Sequence, residues 1–229
     1  MNHKPSIKDN LTQIESRLIN ELKACGRAEN AARVIAVSKT FSESAIREAS
    51  VAGQTLFGES YVQEAVAKIE KLKDLNLEWH FIGPIQSNKA RAVAEHFDWI
   101  HSVDRIKIAE RLSSSRPQGT SPLQICLQVN VTGENSKRGC DLKSVYEIAS
   151  SICNLPNVRL RGLMTIPEEA ADEGRVKKTF QHLREIKEDL NSRGFDLDTL
   201  SMGMSNDLEL GISEGATLVR VGRGIFGDR

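Results

Sequence analysis

Lys39 closes an apolar run, Arg33-Val34-Ile35-Ala36-Val37-Ser38. Such a run reads as a buried parallel strand, and a lysine at its C-terminal end projects into the mouth of a barrel. Partial desolvation there disfavours the ammonium and leaves a neutral amine able to attack a carbonyl carbon. The chemistry so suggested is Schiff-base formation with an aldehyde. Against it stands the ordinary role of a lysine as a solvated surface cation.

Two segments near the C-terminus could receive an anion: Leu200-Ser201-Met202-Gly203-Met204-Ser205-Asn206-Asp207 and Arg220-Val221-Gly222-Arg223-Gly224. Small residues with a helix start between them free backbone N–H groups, and barrels bind phosphate after their seventh and eighth strands. The same glycines could equally serve tight turns. Arg220 is flanked by Leu218, Val219 and Val221. Burying it requires a carboxylate or a ligand acceptor, and a structural ion pair inside the barrel is the competing reading. His80, within Trp79-His80-Phe81, suits a hydrogen-bonded core position better than a catalytic one. Ser87 is expected to cap a helix. That puts Lys89 and Arg91 in its first turns, where the helix dipole disfavours cations, a conflict that a nearby anion would relieve. The loop Thr132–Gly139 carries Lys137 between flanking glycines, placed to contact a phosphate, to gate the site, or to remain a solvated charge. No HExxH, metal-spaced cluster or GxSxG elbow is present, which sets aside metal and serine hydrolysis.

The elements that must position these residues alternate along the chain. Strands are expected near 33–38, 55–58, 78–82, 98–103, 123–131, 158–163, 197–202 and 216–221. Helical patterns lie between them. Val62, Val66, Ile69 and Leu72 share one face; Val176, Phe180, Leu183, Ile186 and Leu190 share another. Ser60 with Gln63 reads as a capping box, and Gly53 and Gly194 as C-terminal caps. Ile7, Leu11, Ile14, Leu18 and Leu22 predict an N-terminal helix that stops near Gly26. It is expected to cover the surface a final barrel helix would cover, since the chain stops at Arg229. The pattern predicts an α/β fold, a single (β/α)₈ TIM barrel with an added N-terminal helix over residues 1–229; a doubly wound open sheet is the alternative.

Acidic and basic residues balance at 31 each, and aromatics are few, so neither nucleic acid nor a membrane surface is indicated. The four cysteines, Cys25, Cys126, Cys140 and Cys153, show no CxxC spacing and read as reduced thiols. No apolar signal core or bilayer-length window is present, so the expected address is the cytoplasm.

Several stretches, in order, carry a resemblance. They are Ala36-Val37-Ser38-Lys39-Thr40, Phe57-Gly58-Glu59-Ser60-Tyr61-Val62-Gln63-Glu64, and Trp79-His80-Phe81-Ile82-Gly83 with Gln86-Ser87-Asn88-Lys89. Then come Glu134-Asn135-Ser136-Lys137, Gly162-Leu163-Met164-Thr165-Ile166-Pro167, Ser201-Met202-Gly203-Met204-Ser205, and Val219-Arg220-Val221-Gly222 with Ile225-Phe226-Gly227. Together they resemble the pyridoxal phosphate homeostasis protein family (proline synthase co-transcribed type), which is similar to the N-terminal barrel of alanine racemase. The resemblance implies pyridoxal 5′-phosphate (PLP) as cofactor, held by Lys39 as an aldimine. It implies that Ser201 and backbone amides around Gly222, Arg223 and Gly224 hold the phosphate. Arg220 would face the pyridine nitrogen and Met164 would pack near the ring; Ser60, His80 and Lys137 complete the implied cofactor-binding set. The chain departs from the family's pattern in three places: Ser60 stands for asparagine, Arg223 for a small hydroxyl residue, and the tail beyond the last glycine is short.

An arginine at the pyridine nitrogen weakens the electron sink on which PLP catalysis depends. The racemases supply a second acid/base, a tyrosine from a separate domain of a partner subunit; Tyr61 and Tyr146 here fall in helical patterns. The resemblance therefore implies a carrier, monomeric and without catalytic residues. It would buffer PLP and deliver it to apo-enzymes through transient contact. The alternatives are a weak racemase or other PLP enzyme, and a barrel for an unrelated phosphorylated metabolite in which Lys39 is merely electrostatic.

Overall fold

In the computed structural model, which describes residues 5–134, 137–168 and 171–227, eight parallel strands close into a barrel. They are β1 (Arg33–Val37), β2 (Leu56–Glu59), β3 (Glu78–Phe81), β4 (Trp99–Val103), β5 (Leu123–Gln128), β6 (Val158–Met164), β7 (Thr199–Met204) and β8 (Leu218–Val221). Neighbours follow chain order, and β8 returns to β1 with Val34 opposite Val219 and Ile35 opposite Arg220. The closed barrel expected from the alternation is the one observed, and the open doubly wound sheet is not. Asn135 and Ser136, and the last two residues on which the short-tail reading rests, lie outside the described residues.

The strands match their expected positions to within one residue except for the fifth, the seventh and the start of the eighth, which begins at Leu218 rather than 216. The fifth ends at Gln128 rather than 131, because the chain there leaves the ladder and Val129 keeps a single bridge to Cys140. The seventh starts at Thr199 and runs on to Met204, across a register shift against β8.

Alternation along the strands divides the apolar residues into two sets. Ile35, Leu56, Trp99, Cys126, Met164 and Leu218, drawn from six strands, meet inside the barrel. The opposite faces, with Phe57, Phe81 and Leu163 among them, pack outward against the helices. Those helices are α1 (Ile7–Ala24), α2 (Glu43–Val51), α3 (Val62–Lys71), α4 (Ala90–His96), α5 (Ile106–Ser115), α6 (Val145–Cys153), α7 (Glu173–Ser192), α8 (Leu208–Ser213) and α9 (Arg223–Phe226). The N-terminal helix lies where expected. Leu11, Ile14, Leu18 and Leu22 are buried, α1 packs on α8 and α9, and the Asn10 amide donates to the Ile225 carbonyl at 2.9 Å. Gly53 and Gly194 follow α2 and α7 with φ of +105° and +97°, the left-handed step expected of C-terminal caps.

Three local expectations are corrected. Ser60 does not cap α3; Tyr61 holds the cap position without a side-chain bond. The backbone of Ser60 is instead pressed against Gly83, where a β-carbon would lie 2.1 Å from the Ser60 carbonyl oxygen. Ser87 does not cap α4, which starts two residues later than that cap requires, after Lys89. Arg91 in its first turn is answered by Glu95 at 2.8 Å, an i,i+4 pair, so the charge conflict does not call for a bound anion. On the expected apolar face of α3, Ile69 and Leu72 are buried and Val62 packs against the core, but Val66 is only partly buried and Ala65 and Lys68 complete the stripe.

Candidate functional site

Lys39 follows β1 at the C-terminal end of the barrel, half-buried, two residues past the strand. It continues the alternation of Ile35, which lies inside the barrel. The residues on either side are fixed by α3. Lys68, buried on that helix, donates from its ammonium to the Ser38 carbonyl at 2.8 Å, to Glu59 at 2.8 Å and to Glu64 at 2.6 Å. Those three bonds exhaust its donors. The Ser38 hydroxyl donates to Glu59 at 2.7 Å, and the amide of Thr40 donates to Glu64 at 2.6 Å. Thr40 has φ +69°, a left-handed conformation that a threonine adopts only when its surroundings hold it. The chain is thus pinned immediately before and after Lys39.

Arg220 lies on β8 inside the barrel and is 4% exposed. Its guanidinium donates to the Ser201 hydroxyl at 2.6 Å and to the Thr165 carbonyl at 3.0 Å. Burial pushes its pKa down to about 10, which still leaves it a cation at neutral pH; the field of Asp207 works the other way. No carboxylate pairs with it directly among the described residues. The expected ion-pair partner is replaced by two neutral oxygens, and the guanidinium has further N–H groups beyond those two bonds.

Past β8, Gly222 caps α9. A β-carbon on Gly222 would lie 3.4 Å from the Val37 carbonyl, so the start of α9 abuts the end of β1. Phe41 and Phe226 stack with centroids 4.9 Å apart and tie the Lys39 loop to this turn. The first N–H groups of a helix have no partner within it, so this turn presents donors beside Lys39.

The expected residues separate by depth. Lys39, Arg220, Gly222, Arg223 and Gly224 converge on one end of the barrel. Met164 is fully buried below them in the interior cluster. Ser201 is fully buried too, its hydroxyl bonded to Arg220 and to His101 at 2.7 Å, which places it beneath the guanidinium and not at the open end. Ser205, at the end of the same segment, is partly exposed, and its hydroxyl would lie 3.5 Å from a β-carbon on Gly224. The Ser-Met-Gly-Met-Ser stretch contains both serines, which an ideal strand would put on one face; the turn at Gly203, with φ +90°, and the end of β7 at Met204 distinguish them. His80 is deep in the barrel between Glu78 and His101, away from the open end. Lys137 belongs to the loop after β5, on the same end as Lys39, where its amide donates to the Glu134 carbonyl. Tyr61, expected within a helix, precedes α3 on that end and is 53% exposed. Lys68 and His101 were not singled out from the sequence; the i,i+4 spacing of Glu64 and Lys68 was the available sign of the first.

A cavity of about 430 Å³ opens at the opposite end, lined by Arg33, Glu78, Asp98, Trp99 and Arg116 among others. The chemistry-bearing residues that the sequence predicts do not line it.

The family model described as alanine racemase, N-terminal domain, matches residues 10–229. The pyridoxal phosphate homeostasis protein of Pseudomonas aeruginosa is 53% identical over 224 residues, 98% of this chain and 96% of that protein. PipY of Synechococcus elongatus, solved without PLP, superposes with a TM-score of 0.88 at 40% identity, covering 97% of this chain and all of PipY. Its PLP-bound form gives 0.82 at 39% identity, covering 92% of this chain and again all of PipY.

Proposed function

This chain belongs to the pyridoxal phosphate homeostasis proteins, within the alanine racemase N-terminal domain family, and from that premise we propose that it binds PLP, buffers its free concentration and delivers it to apo-enzymes. The resemblance drawn from the ordered motifs is the family the comparisons return.

The residues present fit that group. Lys39 stands at a barrel mouth with its neighbours pinned. Arg220 offers a buried cation with N–H groups to spare beside the ring position. Gly224 keeps the start of α9 open where a β-carbon would crowd Val221 and Ile14, and Gly222 lets the same turn lie in contact with Val37. We assign the phosphate to Ser205 and the N–H groups of Gly222, Arg223 and Gly224, with Ser201 holding Arg220 from below. When bound, PLP would supply an aldehyde; Lys39 is the amine placed to hold it reversibly, and a competing amine would take it over. Ser60 and Lys137 stand at the same end, Lys137 on a loop suited to assist release. Cytoplasmic location fits the four unpaired cysteines, two of them exposed. A monomer fits the scatter of exposed large apolar side chains over separate elements (Val51, Tyr61, Leu142, Tyr146 and Ile166).

The observation that carries the reading is the convergence of Lys39, Arg220 and the α9 turn at one end of the barrel. A visible absorption spectrum with PLP, beside Lys39→Ala, tests it. A yellow band trapped by borohydride in the parent and absent in the variant is the expected result; no band in either protein sinks the reading. One observation keeps the racemase alternative open to test: Tyr61 stands at the Lys39 end. Exchange of an amino-acid α-proton with solvent at the rate of dedicated racemases, abolished in Tyr61→Phe, would overturn the carrier reading.

A further inference from the structure

A line of hydrogen bonds crosses the barrel from Arg220 to the opposite mouth. Arg220 donates to the Ser201 hydroxyl at 2.6 Å; Ser201 meets His101 Nδ1 at 2.7 Å; His101 Nε2 meets His80 Nδ1 at 2.9 Å; His80 Nε2 meets Glu78 at 3.0 Å. Ser201, His80 and His101 are fully buried, and Glu78 lines the cavity at the far end.

The two ends fix the direction of every bond between them. A guanidinium can only donate, and an ionised carboxylate can only accept. Glu78 is held ionised by His80 first, with Arg33 at 3.5 Å adding to it. Burial keeps both imidazoles neutral, so each has one donor and one acceptor nitrogen. His80 must then carry its proton on Nε2, to donate to Glu78, and accept at Nδ1. His101 must donate from Nε2 and accept at Nδ1. The Ser201 proton is thereby committed to His101, and a Ser201 lone pair is left for Arg220. No other assignment satisfies all five groups.

We propose that His101, His80 and Glu78 are positioning residues: through Ser201 they hold the Arg220 guanidinium in the one orientation that presents its remaining N–H groups to the cofactor ring. The inference rests on the PLP reading above. Without the line, the Ser201 hydroxyl is free to rotate its proton toward Arg220 and the guanidinium loses one of its two anchors. The consequence reaches a residue remote from the cofactor, since Glu78 lies at the other mouth.

The test has two parts. In the cofactor-free protein at about pH 7.5, ¹⁵N spectra of labelled histidine should show His80 and His101 each with an unprotonated Nδ1 and a protonated Nε2. An Nδ1–H tautomer or an imidazolium at either position overturns the assignment. In the second part, PLP affinity and the absorption maximum of bound PLP are compared across variants. His101→Phe, which removes acceptor and donor together, should weaken binding about tenfold and shift the band. His101→Gln, which can accept from Ser201 and donate to His80, should stay within about threefold of the parent. If His101→Phe does not fold, Glu78→Leu at the opposite mouth carries the same comparison. Unchanged affinity and absorption in a folded His101→Phe or Glu78→Leu overturn the positioning role. Failure of the parent itself to take up PLP overturns the functional reading. The tautomers, read without cofactor, tell that failure apart from a line of the wrong polarity.

Discussion

Two serines four residues apart illustrate how burial decides a role. Ser201 and Ser205 share one segment, yet Ser201 is sealed under Arg220 and Ser205 reaches the α9 turn. Removing the Ser201 hydroxyl leaves the buried Arg220 and His101 each short of a partner, and an unsatisfied buried group costs about 1–3 kcal/mol. Ser201→Ala should therefore lower stability by about that amount, read by urea denaturation. Ser205→Ala should leave the denaturation midpoint unchanged and weaken PLP binding about tenfold, the weight of one hydrogen bond to a charged group. The reverse pattern would return the phosphate to Ser201. Arg220 connects the same residues to the carrier role. It stays protonated with a pKa of about 10, and placed at the ring nitrogen, as proposed, it would oppose the protonation that an electron sink needs.

At the scale of elements, α3 holds Lys39 in place by a buried ion cluster rather than by apolar packing alone. Glu59 is fully buried, and burial raises its carboxyl pKa despite Lys68 and Ser38, so its charge depends on those partners. Replacing Lys68 by methionine strands that carboxylate and leaves the Ser38 carbonyl with only the Phe41 amide and Glu64 with only the Thr40 amide. The expected loss is about 3–5 kcal/mol, with PLP capture weakened as the Lys39 loop slackens. Lys68→Met with Glu59→Leu should recover most of the stability, because two apolar groups then fill the site; a double variant no better than the single one refutes the buried-charge account. This cluster also marks how far the sequence could be read. The barrel was legible because strand and helix periods alternate and buried strands read as apolar runs. Lys39 and Arg220 were legible because a charge beside such a run is costly. Lys68 was not, since a lysine on a helix is ordinarily solvated and only the tertiary approach of Glu59 makes its burial tolerable. The caps at Ser60 and Ser87 were misread for a related reason: packing against Gly83 and the late start of α4 overrode a local preference for serine at helix ends.

Closure of the barrel places two kinds of group out of reach of water, and each gives a measurement on the whole molecule. Cys126 lies inside the barrel and Cys140 beside β5, and burial pushes both thiols up to about 12, while Cys25 and Cys153 are exposed. A thiol reagent should modify Cys25 and Cys153 in the native protein and all four once it is unfolded; rapid native modification of Cys126 would mean that the barrel opens. The second kind is the imidazole pair. Burial depresses the pKa of His80 and of His101, so below the unfolded value of about 6.5 the unfolded chain binds protons that the folded barrel refuses. Stability is then complete above about pH 6.5 and falls as the pH drops, by up to about 1.4 kcal/mol per unit for each histidine until its folded pKa is reached. Glu78 draws His80 back toward protonation, which makes His101 the larger contributor. Glu59 and Asp98, whose carboxyls burial pushes upward, act with the opposite sign, because the folded state binds their protons more tightly; they cancel in the difference between the parent and His101→Gln, which isolates the imidazole. Urea denaturation at about pH 7.5, 6.5 and 5.5 should therefore show a small fall over the first interval and a larger one over the second, with the fall reduced by at least half in His101→Gln. A parent whose stability stays level to pH 5.5 would mean that the barrel accommodates charged imidazoles. The polarity of the line from Arg220 to Glu78 could not then be the one that neutral rings impose.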